Sequence, residues 1–203
     1  MNDFSVSMAL MDYIPVLCFA AAAIILQRDL YNKMSKGAFA LFAAGTINIT
    51  VAGGLKATYK LLYALGICDF QALNHMFFPV QSIGFLLAGI GMIALICHRQ
   101  SPSGLAAVAV PPVFSGTFVF VTLMVAGLGM MDTVLCIFAA KLKKKGLIVF
   151  FVLSFVCSLC MGYLSSKDFA QAAMNWIAEG INVVGQGSLL AGTILLHKAG
   201  LTK

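Results

Sequence analysis

The chain has 203 residues, 61% of them hydrophobic and 10% charged, with a formal net charge of +6 and a mean hydropathy of +0.99. A soluble domain carries about 25% charged residues. Too little polar surface is left to cover a water-facing globule, which excludes a soluble enzyme, a disordered regulator and a secreted disulfide scaffold.

Apolar stretches near the length a bilayer requires fall at about 5–27, 37–58, 74–97, 146–165 and 172–196. Met1 to Ser7 has no positive charge and contains Asp3, and no small-residue cleavage site follows the first run. That run is therefore expected to stay as a helix rather than leave as a signal peptide. The segment 103–141 is apolar almost throughout, with Pro111 and Pro112 near one end and Gly127 and Gly129 further on. It reads either as one long helix with a linker, giving six spans, or as two helices turning near Ala126-Gly127, giving seven.

Charge separates the two, because Lys and Arg concentrate in cytoplasmic loops. With seven spans and the N-terminus outside, ten basic residues face inward: Arg28, Lys33, Lys36, Arg99, Lys141, Lys143, Lys144, Lys145, Lys198 and Lys203. Lys56, Lys60 and Lys167 face outward. With six spans the later loops change sides and the bias inverts. The expectation is an all-α integral membrane protein of seven helices, with helix 4 at about 103–122, helix 5 at about 125–142, and a cytoplasmic C-terminus. Clustered between apolar runs, the basic residues read as anchors in a plasma (inner) membrane, not as a nucleic-acid site.

An internal repeat agrees with the count. Met11-Asp12 to Cys18 is echoed by Met131-Asp132 to Cys136, and Asp69-Phe70 to Asn74 by Asp168-Phe169 to Asn175. Gly84 to Gly89 is echoed by Gly187 to Gly192, and the run ending at His98 by the run ending at His197. Four matches in one order predict a first three-helix repeat over 1–100, a connector helix over 101–123 and a second repeat over 124–203. An inserted fourth helix makes the repeats parallel, related by an axis along the membrane normal. This 3+1+3 plan resembles, in architecture, sugar transporters of the SWEET type, vitamin transporters of the PnuC type, PQ-loop proteins and microbial rhodopsins. The proline–glutamine pair of PQ-loop proteins is replaced by Pro15-Val16 and Pro79-Val80-Gln81. Lys198 lies at the cytoplasmic end of the last helix, away from the place of a retinal Schiff base.

Ionisable residues within spans are costly and are functional candidates. Asp12 and Asp132, matched by the repeat, are expected to face each other and bind a cation or share a proton. Glu179, the only glutamate, lies two to three turns into the last helix and is the best single candidate for coupling. Asn74 and Asn175, with His75 and Trp176 beside them, suit hydrogen bonding and stacking of a polar solute; the SWEET resemblance implies the same use of paired asparagines near a tryptophan. Asn48, Gln81, Asn182 and Gln186 either line a pathway or join helices at about 1 kcal/mol each. Lys56 and Lys60 read as snorkelling to the surface, with a pairing of Lys56 to Asp12 as the sharper alternative. Pro15 and Pro79 are expected to kink their helices.

The six cysteines, Cys157-Ser-Leu-Cys160 among them, lie mostly in apolar segments and read as packing rather than redox chemistry. No metal set and no cofactor motif is present. The expected function is a transporter or channel for a small solute or ion, running between the repeats, with membrane lipids as surroundings and homo-oligomerisation left open. The alternatives are an intramembrane enzyme using Asp12 and Asp132 on a lipid-like substrate, and a sensor or assembly subunit docking through Lys141 to Lys145.

Overall fold

The computed structural model describes residues 5–97, 117–164 and 172–202. Among them the regular elements are all helical. They are α1 (Val6–Met11), α2 (Tyr13–Leu30), α3 (Lys36–Ala64), α4 (Gln71–His75), α5 (Phe77–Cys97), α6 (Thr117–Lys141), α7 (Ile148–Leu164, led in by a 3₁₀ turn) and α8 (Ala172–Lys198). Among the described residues, five stretches are long and apolar enough to cross a membrane: Val6–Leu30, Lys36–Ala64, Gln71–Cys97, Val119–Lys141 and Lys145–Leu164. Their outward faces are apolar too: Leu17, Ile24 and Val149 are each about two-thirds exposed, at 66%, 67% and 66%. Water would penalise such a surface, whereas lipid does not.

The two prolines set two helix starts. Pro15 is the third residue of α2 and Pro79 the third of α5. A proline in the first turn removes an N–H that has no intrahelical partner anyway, but its ring prevents the helix continuing unbroken from upstream. Breaks accordingly fall at Asp12, between α1 and α2, and at Met76, between α4 and α5.

Side-chain pairs fix the helix directions. Asp12 meets Lys60 at one end of α2, and Gln27 donates to Thr46 Oγ1 nearer the other, so α2 and α3 are antiparallel. Gly45 packs on Gly84 and Ala88, and Gly91 on Ala38 and Phe42, so α3 and α5 are antiparallel. Lys60 joins α8 at Glu179 near Asp12, and His197 joins Asp29, so α2 and α8 are parallel. Cys157 lies at Gly185 and Phe151 at Gly192, Val121 at Gly162 and Phe155 at Gly129, so α7 runs against both α8 and α6. Hence α2, α5, α6 and α8 point one way, and α3 and α7 the other.

Lipid tails are as apolar as leucine, so close packing rather than water exclusion holds such helices together. Glycine makes it possible at two crossings. A Cβ on Gly45 would stand 2.5 Å from the Ala88 nitrogen, and one on Gly89 would stand 2.6 Å from the Gly127 carbonyl oxygen. Here the expected turn near Ala126-Gly127 is corrected. α6 runs unbroken through it, because Gly127 lays its bare Cα against the α5 backbone at Phe85 instead of reversing the chain. The expected helix 4 at 103–122 lies for most of its length outside the described residues, and its last part belongs to α6.

The apolar core occupies one half of the bundle, around Leu26, Phe42, Met92, Leu135, Phe151 and Leu196. At that end stand Arg28, Lys33, Lys36, Lys141, Lys143, Lys144, Lys145 and Lys198. We call it the lysine-rich end. The opposite half holds a cavity.

Candidate functional site

The cavity has a volume of about 160 Å³ and is walled by α2, α3, α5, α6, α7 and α8. Phe19, Ile49 and Phe85, which belong to the core below, form part of its lining. Its polar lining is Asp12, Thr50, Lys56, Gln81, Ser158, Glu179, Asn182 and Gln186.

A three-member ion cluster borders it. Lys60 Nζ lies 2.5 Å from Asp12 Oδ2 and 3.1 Å from Glu179 Oε1. Lys60, Asp12 and Glu179 are 7%, 6% and 7% exposed. Helix ends explain the convergence. The break before Pro15 places Asp12 at the start of α2, and its carboxylate makes no capping bond there, leaving it free to turn to α3. Buried charges are tolerated only when paired, and one ammonium between two carboxylates meets that condition. Asp12 Oδ1 and Glu179 Oε2 are nevertheless buried with no hydrogen-bond partner among the described residues.

Lys56 lies one turn before Lys60 on α3 and lines the cavity. Its ammonium sits 3.9 Å from the Phe77 ring centroid, a cation–π contact. Snorkelling is thus corrected for Lys60: two buried carboxylates hold it more strongly than the surface attracts it. The sharper pairing of Asp12 is met by Lys60 rather than Lys56. Around this site Tyr13 pairs with Thr58 at 2.9 Å, and Tyr59 donates to Asp69 at 3.1 Å.

The expected meeting of Asp12 with Asp132 is also corrected. Asp12 opens α2, whereas Asp132 lies fifteen positions after Thr117 in α6, roughly 22 Å along that helix at 1.5 Å per residue. Asp132 is 3% exposed beside Ser154, and neither carboxyl oxygen has a hydrogen-bond partner among the described residues.

Gln81, Asn182 and Gln186 line the cavity as expected of pathway residues. Asn48 is half-buried on α3 and is not part of the lining. Asn74 and His75 are exposed on α4, Trp176 is 42% exposed, and Asn175 is half-buried; none of the four lines the cavity. Asn74 and His75 close α4 just ahead of α5, and Asn175 and Trp176 lie near the start of α8.

Sequence reasoning missed two things. One is Lys60 as the centre of the ion cluster, for which the signal was the spacing of two lysines one turn apart on an otherwise apolar helix. The other lies at the lysine-rich end. There Asp29, 3% exposed, accepts from His197 Nδ1 at 2.8 Å, and Arg28 donates to His197 Nε2 at 3.2 Å. Lys33 reaches the Leu201 carbonyl beside it. These contacts tie α2 to α8 below the core.

The chain matches no family model, no curated protein and no solved structure. What fold and composition define is the class: an all-α membrane protein, helical in its regular elements among the described residues, with five stretches there long and apolar enough to cross a membrane.

Proposed function

We propose that the protein is a small multi-pass transporter or channel that moves a small solute or ion through the bundle, between two parallel three-helix units. One observation carries this reading: a cavity lined by six helices, holding carboxylates, an ammonium and amides at a depth where lipid-facing residues are apolar. Polar groups inside a membrane mark substrate pathways. The units are α2–α3–α5 and α6–α7–α8. Each runs in the same up-down-up sense, and the cavity is bounded by both. Rocking of one unit against the other is the motion such a plan permits.

The seven-span topology belongs to the same proposal. α5 ends at the lysine-rich end and α6 begins at the opposite, cavity end. Two successive helices running in the same direction support a connector span between them, the fourth helix of a 3+1+3 plan. The concentration of basic residues at one end supports placing it in the cytoplasm, with the cavity half outward in a plasma membrane. Membrane lipids then surround the bundle, and the core around Met92 and Leu135 is the inner barrier.

Reconstitution into liposomes tests the proposal. Flux of a labelled solute or ion is expected for the native chain and lost in Glu179→Gln and Asp12→Asn, each still monodisperse in detergent. Undiminished flux in both variants removes the carboxylates from the mechanism. A purified native chain that passes no member of a broad panel of ions and small solutes overturns the reading.

A further inference from the structure

We infer that the cavity is a binding site for a small zwitterion of the α-amino-acid class, with the ammonium on the Asp12–Glu179 side and the carboxylate on Lys56. The inference deepens the transport reading and rests on it for the passage of the solute, though binding is measurable without transport.

Charge balance comes first. Counted in their ordinary ionised forms, Asp12 and Glu179 bring two negative charges, and Lys56 and Lys60 two positive ones. The formal sum at the site is zero. A solute of net charge brings an uncompensated charge into a medium of low dielectric constant, whereas a zwitterion adds none.

Orphaned atoms come second. Asp12 and Glu179 are both more than nine-tenths buried, both line the cavity, and each has one carboxyl oxygen with no protein partner. An ionised carboxylate only accepts, so these oxygens call for donors such as the three N–H bonds of an ammonium. Lys56 offers the opposite chemistry. It lines the cavity with its ammonium over the π-face of Phe77, which gives no acceptor lone pair. A carboxylate supplies one. An inorganic cation would satisfy the oxygens but leave Lys56 beside a like charge.

Size comes third. A cavity of about 160 Å³ has room for several water molecules. That admits a single amino acid. Phe85, Val121 and Met124 on the wall favour an apolar side chain.

The test uses the full chain purified in detergent. Binding of glycine, L-alanine, L-valine and L-leucine is read by calorimetry and by the shift in melting temperature. Each is compared with its amide, which lacks the carboxylate, and its N-acetyl form, which lacks the ammonium. At least one free amino acid is expected to bind, with both its analogues weaker by about tenfold or more. Lys56→Met is expected to weaken the free amino acid about tenfold and to remove its advantage over the amide, while Lys56→Arg keeps it. Absence of binding by all four up to about 10 mM, or equal binding of acid and amide by the native chain, overturns the inference. The analogue comparison needs no variant, so it stands if Lys56→Met fails to fold. Zwitterion binding without flux in liposomes keeps this site and removes the transport reading. Flux of a sugar or an inorganic cation without zwitterion binding does the reverse.

Discussion

At the scale of single residues, the Asp12–Lys60–Glu179 cluster is the most consequential arrangement in the bundle. Removing the ammonium by Lys60→Met strands two buried carboxylates, and breaking a buried pair costs about 3–5 kcal/mol. The variant is expected to melt well below the native chain in a detergent thermal scan. Adding Asp12→Asn and Glu179→Gln to it is expected to recover much of the loss, since the stranded charges are then gone; a triple variant no more stable than Lys60→Met would refute that account. A smaller effect of opposite sign belongs to Lys143. It adopts φ 57°, closing the C-terminus of α6, with Lys144 N–H bonded back to the Ala139 carbonyl at 2.9 Å. A left-handed conformation costs an L-residue roughly 1–2 kcal/mol, and glycine avoids that cost. Lys143→Gly is therefore expected to raise the melting temperature. No gain in the scan would argue that the αL cap carries no strain at this position.

At the scale of elements, contacts between helices rest on bare backbone. Gly45 against Ala88 and Gly127 against Phe85 let α3, α5 and α6 approach closely. Gly127→Leu is expected to force α5 and α6 apart and abolish a monodisperse peak in size-exclusion chromatography. Gly54→Leu, where no atom lies within 4 Å of an added Cβ, is expected to leave that peak in place. At the lysine-rich end, His197→Ala removes the partner of a carboxylate with no exposed side-chain surface. Leaving it without that bond costs about 1–3 kcal/mol, so a lower melting temperature is expected there too. Helix ends also bear on the proposed sequence repeat. Asn74 stands 23 residues before the end of α5 at Cys97, and Asn175 stands 23 before the end of α8 at Lys198. Asp12 opens α2 but Asp132 lies past the middle of α6, so the Met-Asp match pairs a helix start with a helix interior.

At the scale of the whole molecule, α2, α3, α5, α7 and α8 each turn branched apolar side chains outward: Ile24, Ile47, Ile90, Val149 and Val184 are exposed. A bilayer is the solvent that makes this arrangement stable. The proposed orientation carries its own test. Single cysteines placed at Lys36 and Lys144, in a chain whose native cysteines are replaced, are expected to resist a membrane-impermeant thiol reagent in intact cells and to react after permeabilisation. One introduced at Ile67, 65% exposed in the turn after α3, is expected to react directly. Reaction of all three in intact cells would remove the seven-span reading, because then the lysine-rich end does not face the cytoplasm.

Apolar runs of bilayer length made the helices legible from the sequence alone. Four expected spans coincide closely with Val6–Leu30, Lys36–Ala64, Gln71–Cys97 and Lys145–Leu164, and a fifth falls on the helix Ala172–Lys198. Hydropathy is a local property, so it survives without knowledge of neighbours. The same holds for the candidacy of Asp12, Glu179, Gln81, Asn182 and Gln186, because a polar side chain in an apolar run is conspicuous by itself. What a polar or small residue does there depends on which helix faces it. Gly127 is a turn signal by composition and a packing surface by contact. Asp132 is half of a pair by sequence match and a solitary buried carboxyl by depth. Lys60 is a surface lysine by habit and the centre of an ion cluster because two carboxylates, 48 and 119 positions away in the chain, converge on it. Local composition determined the class and the helices; only helix-to-helix contact, which no period in the sequence encodes, decided the partners.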